Sequence, residues 1–581
     1  MAEFLPLEER ARLWLSGDPD EETRRELERL LTSRDEAALV ACFEPELTFG
    51  TAGLRGAVGA GPARMNRAVV TRVAWGLARF LSEEGLGRRP VVVGYDARPD
   101  SARFAEETAE VLAGAGVSVR LFEEPCPTPL VAFACRALHA AAAVVVTASH
   151  NPRGDSGYKV YDDRGVQIVA PWDARIAALM AQAPPAASVP RSRAHVTAIE
   201  ADIVDDYFAR VTAAVATART VDAESTDEQD APSPLRVAYT PLHGVGLGAV
   251  RRVLGFAVDL RVVASQAAPD GTFPTTPFPN PEEPGVVDEV VALAREHRCE
   301  LALANDPDAD RLAVCVPGPD DARTFRMLSG DELGVLLADA LLDALPAVNE
   351  RGFVPVIAAS VVSSPFVEAV ARARGARVAR TLTGFKWLCR VSEHLSAEER
   401  FVFAYEEALG YAVLPELVAD KDGVSAARLV VERARALARR GRTLESRLSE
   451  LFVRHGLWVS APQSVRLAGP HAGERMRSAL AQLRARPPRA LAGLPVTRVV
   501  DYLLGAEERP VYLGSQDLVA LELGDGGLVF LRPSGTEPKL KLYVHLTASV
   551  HGAAEIPNAR SALAARGAQV GEALTGLLDL A

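Results

Sequence analysis

The chain has 581 residues with 48% hydrophobic and 24% charged side chains, values of a folded globular protein with room for several domains and not of a disordered chain. A formal net charge of −12 excludes general affinity for nucleic acid or anionic membrane while leaving room for a local basic pocket. Six scattered cysteines without a C-x-x-C pair, a charged N-terminus and no apolar run of about 18 residues predict a soluble cytoplasmic protein with reduced thiols.

Residues 1–45 read as a helical, charge-rich lead-in. A strand–helix rhythm follows. "PVVVGYD" (90–96) is a buried strand, "SARFAEETAEVLAGAG" (101–116) an amphipathic helix closed by glycine, and "VSVRLFE" (117–123) a strand. "PLVAFACRALHA" (129–140) is a helix and "AAAVVVTA" (141–148) the next strand. Repeated βαβ units predict a mostly parallel sheet covered by helices. The stretch "ASHNPRGDSGYKV" that follows, carrying Ser149, His150 and Lys159, reads as a turn. An acidic, proline-ended linker (221–234) separates a second round: strand 235–242, helix 246–256 and strands 259–265 and 299–306. A third round begins at "FVPVIAAS" (353–360) and ends in the strand "RFVFAYEE" (400–407). A helix near 472–486 and alternating strands at 518–523, 527–533 and 540–546 give an α+β close.

Chemically loaded stretches fall at strand ends, where open parallel sheets bind ligands. In "LALANDPDADRLAV" (301–314), Asp306, Asp308 and Asp310 alternate between two apolar strands. Carboxylates this close repel unless a cation holds them, and hard oxygen ligands suit Mg²⁺ or Ca²⁺. An EF-hand reading fails because Arg311 and Pro317 stand at its glycine and glutamate positions; a solvated acidic turn is the bland alternative. Beside such a metal, Ser149 reads as a carrier of a phosphoryl group and a fourth metal ligand, and His150 or Lys159 as proton carriers. Alone, "TASHNP" would be an ordinary turn.

"FLRPSGTEPKLKLY" (530–543) packs Arg532, Ser534, Gly535 and Thr536 into a phosphate cradle that lacks the Walker pattern. "AYEEALGY" (404–411) offers Glu406 to sugar hydroxyls; "TLTGFKWL" (381–388) adds Thr383, Gly384 and Lys386, and "ADKDGVSAAR" (419–428) adds Lys421. Arg55 and Arg98 lie in "FGTAGLRG" and "GYDARPDS". Each has a surface-turn alternative. One compositional fact favours function: only five of the 64 basic residues are lysines (159, 386, 421, 539 and 541), and all five lie in these stretches. Lysine, unlike arginine, is a compact cation with a tunable pKa.

Taken together, "TASHNP", "GYK" (157–159), "DPDADR" (306–311), "YEEALGY" (405–411) and "RPSGTEPK" (532–539) resemble the α-D-phosphohexomutase superfamily. "FGTAGLRG", "TPLHGVG", "FPNPEEPG", "TGFKW" and "DKDGVSAA" are most similar to its phosphoglucomutase/phosphomannomutase branch. The resemblance implies three related mixed α/β domains plus a C-terminal α+β domain, a four-domain heart-shaped arrangement around one cleft. The expected division is 1–45 as lead-in, 46–222 with the phosphoserine loop, 223–345 with the metal loop, 346–460 with the sugar loop and 461–581 with the phosphate loop.

It further implies a phosphoserine at Ser149 that is also a Mg²⁺ ligand with Asp306, Asp308 and Asp310, and acid–base work at His150 and Lys159 near Arg311. Substrate contacts would come from Arg55, Arg98, Thr383, Gly384, Lys386, Glu406, Lys421, Arg532, Ser534, Gly535 and Thr536. The expected activity interconverts hexose 1-phosphate and hexose 6-phosphate, with glucose favoured, through a sugar 1,6-bisphosphate. Mannose, glucosamine or pentose phosphates are alternatives, and a metal-dependent phosphatase or a non-catalytic sugar-phosphate-binding protein are rivals. Expected partners are small-molecule sugar phosphates, with no nucleic acid or membrane, in a monomer or small homo-oligomer. Two positions depart from the family pattern: Ser156 where asparagine is common, and Ala408 where hexose mutases often carry serine.

Overall fold

The computed structural model describes residues 5–50, 53–217, 234–255, 258–318, 321, 323–467, 472–533 and 539–578. The described residues form two compact units, the first from within 5–215, 234–315 and 410–429 and the second from within 316–409 and 430–578.

In the first unit, three short helices (Leu7–Gly17, Glu21–Ser33, Glu36–Phe43) pack around Ala11, Leu27, Leu39 and Phe43. The strands that follow are β1 (Leu54–Ala57), β2 (Val91–Tyr95), β3 (Val119–Leu121), β4 (Ala142–Val146), β5 (Asp155–Tyr161) and β6 (Val196–Ala198). They form one sheet in the order β1-β5-β4-β2-β3-β6. β2 and β4 are wholly buried runs of Val, Ala, Gly and Tyr, as parallel strands covered on both faces require. Helix Arg67–Glu83, not predicted from the sequence, buries Val69, Val73, Leu77 and Phe80 against this sheet.

The turn expected after β4 is shorter than predicted. Lys159 sits inside β5, antiparallel to β4 and paired with Val145, because the Asp-Ser-Gly start that looks like a turn leads straight into "YKVY". A second sheet contains β7 (Leu235–Thr240), β8 (Val258–Val262), β9 (Leu301–Ala304) and β10 (Ala313–Pro317). β7 is parallel to β8 and β9, and β10 turns back antiparallel to β9.

The second unit holds β11 (Phe325–Met327), β12 (Val354–Ser360), β13 (Arg377–Thr381) and β14 (Glu399–Glu406), with β12 parallel to both β13 and β14. The chain re-enters the first unit for β15 (Gly410–Ala412) before its last domain. That domain pairs β16 (Leu457–Arg466), β17 (Ala490–Leu491), β18 (Leu494–Asp501), β19 (Val519–Leu523), β20 (Leu528–Pro533) and β21 (Lys539–Ala548) in the order β16-β21-β20-β19-β18-β17. Its pairings are antiparallel, the α+β pattern expected, and helices Ala472–Ala485 and Ile556–Leu577 cover one face.

Candidate active site

In the first unit, the buried end of β4 hands the chain to Thr147 and then to Ser149, which is held at φ +52°, a left-handed conformation uncommon for a residue with a side chain. Hydrogen bonds enforce it. The Ser149 N–H donates to Thr147 Oγ1 (2.8 Å), and that hydroxyl donates to Asp96 Oδ2 (2.7 Å). Arg98, 3% exposed, donates from Nη2 to the carbonyls of Ser149 (2.7 Å) and Asn151 (2.6 Å) and from Nη1 to those of Pro152 (2.8 Å) and Asp155 (2.9 Å). Its fork therefore grips the loop backbone.

Residues 305–312 join β9 to β10 and bring Asp306, Asp308 and Asp310 together, all 0% exposed, with one oxygen from each within 4.8 Å of the others. Two glycines let other loops approach this one: a Cβ at Gly244 would lie 2.3 Å from Pro307, and one at Gly423 would lie 2.2 Å from the Arg311 carbonyl. Ser149 Oγ lies 2.9 Å from Asp306 Oδ2 and 3.1 Å from His150 Nδ1. A serine and an acidic loop over 150 positions apart thus meet in one place.

Lys159, 1% exposed, places Nζ 2.8 Å from both Asp308 Oδ2 and Asp310 Oδ2, and Lys421 Nζ lies 3.2 Å from Asp310 Oδ2. Thr128 Oγ1 donates to Asp308 Oδ2 (2.8 Å), and the Arg311 N–H to Asp306 Oδ1 (2.9 Å). Burial and the charges of Asp308 and Asp310 push Asp306 well above the usual carboxylate range. Burial would also raise Asp308 and Asp310, but Lys159 with the Thr128 hydroxyl holds Asp308 below that range, and Lys159, Lys421 and Arg311 together hold Asp310 below it. Burial and the cations Arg311 and Arg55 lower His150, so its imidazole is neutral. Burial lowers Arg55 as well, while Asp308 and Asp310 oppose that shift.

The donor set fits a hard divalent cation. Asp308 Oδ1 and Asp310 Oδ1 are buried without a hydrogen-bond partner, an expensive arrangement that a cation in the trio would relieve. Arg55 leaves its Nε buried and unpartnered too. His243, by contrast, is 2% exposed with Nε2 3.0 Å from Thr275 Oγ1, a histidine satisfied by its own fold.

The second unit gathers a different set. Thr383, 4% exposed, accepts hydrogen bonds from Arg532 and from Gln516 Nε2 (3.2 Å). The Gly384 N–H, at φ +110°, donates to Glu406 Oε1 (2.5 Å). Neighbouring Glu407 Oε2 accepts from Ser360 Oγ (2.9 Å) and Ser363 Oγ (3.2 Å). Lys386 places Nζ 5.9 Å from the Trp387 ring centroid. Ser534, Gly535 and Thr536 lie outside the described residues.

Thr128, Asp96, Gln516, Ser360 and Ser363 are not predicted from the sequence. Asp96, inside "GYDARPDS", carried a readable signal, a carboxylate ending a buried strand. Ser360 likewise ends a strand that the sequence shows, "FVPVIAAS"; Thr128, Gln516 and Ser363 sit in stretches with no marked pattern.

Four family models match in chain order, described as phosphoglucomutase/phosphomannomutase, alpha/beta/alpha domains I (46–186), II (205–318) and III (329–455), and C-terminal domain (497–561). A "probable phosphomannomutase" of Haemophilus influenzae is 38% identical over 83% of this chain and 92% of its own. The human phosphopentomutase is 33% identical over 94% of this chain and 92% of its own. Among solved structures, a phosphoglucomutase/phosphomannomutase family protein from Burkholderia thailandensis is 20% identical and superposes with a TM-score of 0.66 over 92% of this chain and 97% of its own, a likeness of fold.

Proposed function

The chain belongs to the phosphoglucomutase/phosphomannomutase family and is a phospho-sugar mutase, and we propose that it interconverts hexose 1-phosphate and hexose 6-phosphate, with glucose as the preferred sugar. The observation that carries this reading is Ser149 Oγ standing 2.9 Å from Asp306 within the acidic trio.

Phospho-Ser149 gives its phosphoryl group to the C6 hydroxyl of glucose 1-phosphate. The bond from phosphorus to the C6 oxygen forms, the bond to Ser149 Oγ breaks, and the hydroxyl proton passes to neutral His150. The product is glucose 1,6-bisphosphate. After it turns over, its C1 phosphoryl group returns to Ser149 and the C1 oxygen regains a proton. Asp306, Asp308 and Asp310, with the phosphorylated Ser149, would hold Mg²⁺. When bound, the ion supplies neutralisation of the charge that develops on the transferred group. Lys159 is then available to pair with the substrate, together with Arg55, Arg311 and Lys421.

Arg98 fixes the Ser149 loop by its four carbonyl contacts. Thr383, Gly384, Lys386 and Glu406 read as sugar contacts, and Arg532, Ser534, Gly535 and Thr536 as the grip on the non-reacting phosphate. The domain limits are those given by the sequence, and the setting is the cytoplasm, with sugar phosphates as partners and a monomer or small homo-oligomer as the working form. Among the described residues no helix is long and apolar enough to cross a membrane.

A coupled assay with Mg²⁺ on glucose 1-phosphate, mannose 1-phosphate and ribose 1-phosphate tests the reading. Glucose 1-phosphate should turn over fastest, and Ser149→Ala should be inactive. Equal turnover by Ser149→Ala removes the phosphoserine, and release of inorganic phosphate matching substrate loss replaces the mutase with a phosphatase. A pentose preference is the second reading, favoured by the 33% identity to the human phosphopentomutase, and the ribose arm decides it.

A further inference from the structure

The second unit buries a polar chain that the proposed chemistry does not use. His545, 1% exposed on β21, places Nε2 2.8 Å from the Val362 carbonyl oxygen and Nδ1 2.8 Å from Ser460 Oγ, its cross-strand partner on β16. Ser460 Oγ lies 2.8 Å from Asp331 Oδ2, at the start of helix Gly330–Asp343. Asp331 Oδ1 accepts from the Ser364 N–H (2.8 Å) and the Tyr405 hydroxyl (3.3 Å).

Proton counting decides the state of this chain. Its three contacts, Val362 to His545, His545 to Ser460 and Ser460 to Asp331, each need one proton between two heavy atoms. The carbonyl brings none, a neutral imidazole one, a serine one and a carboxylate none. Two protons cannot fill three contacts, so one pair of lone pairs would face each other at 2.8 Å out of water, at the cost of an unmade buried hydrogen bond. A third proton completes the chain, either on His545, giving a buried imidazolium and carboxylate, or on Asp331, giving a neutral chain. The charged and titratable groups facing these two residues are Arg380, Glu407 and Tyr405. Arg380 is committed elsewhere: it donates to the carbonyls of Ser360, Ser363 and Ser364 and to Glu368. Burial pushes His545 down to about 4 and Asp331 up, and both directions favour the neutral chain.

We propose that Asp331 is a carboxylic acid at neutral pH and that, through Ser460 and His545, it is a positioning residue for the sugar-phosphate site. The chain ties segment 360–364 to β21. Ser360 and Ser363 of that segment hold Glu407, the neighbour of Glu406, while Val361 and Val362 pack with Leu518, Ala520, Phe530 and Tyr543. β20, beside β21, carries Arg532. The proposed sugar contact and the proposed phosphate contact are thereby held in one register, a role that rests on the mutase reading above.

Asp331→Asn separates the states, because a carboxamide copies the protonated acid: its Nδ2 donates to Ser460 and its oxygen accepts from Ser364. Asp331→Asn is expected to keep KM within about twofold of the parent, whereas Asp331→Ala raises KM about tenfold, the value of one lost buried hydrogen bond. The parent's KM should rise toward alkaline pH as Asp331 loses its proton, and that rise should vanish in Asp331→Asn. Infrared spectroscopy of the whole enzyme should show a protonated-carboxyl C=O band that Asp331→Asn lacks. Asp331→Asn as damaging as Asp331→Ala, or no difference in that band, overturns the assignment. If the parent turns over no sugar phosphate, the positioning role falls with the mutase reading, and the infrared band still decides the proton.

Discussion

In the first unit, Lys159, Asp306, Asp308 and Asp310 are at most 1% exposed and lie within hydrogen-bonding or coordination reach of one another. In the second, Thr383 accepts one neutral hydrogen bond from Gln516 and one from the Arg532 guanidinium, and the nearby Asp331–Ser460–His545 chain carries no net charge. The first region concentrates like charges that only a cation can settle, so its geometry invites one. The second region brings single charges against hydroxyls and amides and gathers no comparable cluster of like charges among its described residues.

The contrast can be broken most severely at the acidic trio. Asp308→Ala removes a carboxylate that also receives Lys159 and Thr128, so mutase turnover is expected to fall about a thousandfold, with Mg²⁺ binding lost in a calorimetric titration. Activity near the parent's would show that the trio is ornamental. Next comes Lys159→Met, which takes the shared ammonium from two buried carboxylates and leaves Asp308 with Thr128 and Asp310 with Lys421. Without divalent ion the protein should lose about 3–5 kcal/mol, and thermal melts should recover much of it on adding Mg²⁺. Equal destabilisation with and without Mg²⁺ would contradict the shared-cation view.

The quiet region answers to pH instead. The folded-state pKa of His545 is lowered to about 4, below its unfolded value, so its stabilising share is fully present above about pH 6.5 and is lost as pH falls toward 4. Denaturant melts of the parent should lose up to about 3 kcal/mol across that window, and His545→Asn should show a flatter profile. Arg98→Lys should cost less. A single ammonium cannot reach four carbonyls, so kcat should fall about tenfold with KM little changed, read in steady-state assays. Gln516→Leu, which frees one lone pair of Thr383, should raise KM by only about two- to fivefold.

Much of this was legible in the sequence, for reasons that can be named. The aspartates stood between two apolar strands, and Ser149 ended a third, so position along the chain already implied a shared edge. β5 was misread because Asp155, Ser156 and Gly157 are turn formers locally, while pairing with β4 and β1 decides their conformation. The resemblance marks Arg98 as a substrate contact and says nothing of its hold on the loop, because its four backbone acceptors come from residues 51 to 57 positions away, which no local pattern records. Thr128 and Gln516 were invisible for the same reason, each meeting partners more than 130 residues distant. The proton on Asp331 lies deeper still, since it follows only from distances.

The left-handed backbone at Ser149 has a further implication for how this loop could change over time. The twist is imposed by Arg98 and Thr147 rather than by the serine itself, so any short side chain placed at that point would be presented to the same three carboxylates. A single codon change would therefore exchange the proposed phosphoryl carrier without disturbing the stage, whereas moving the stage would require rebuilding a strand end some fifty residues upstream.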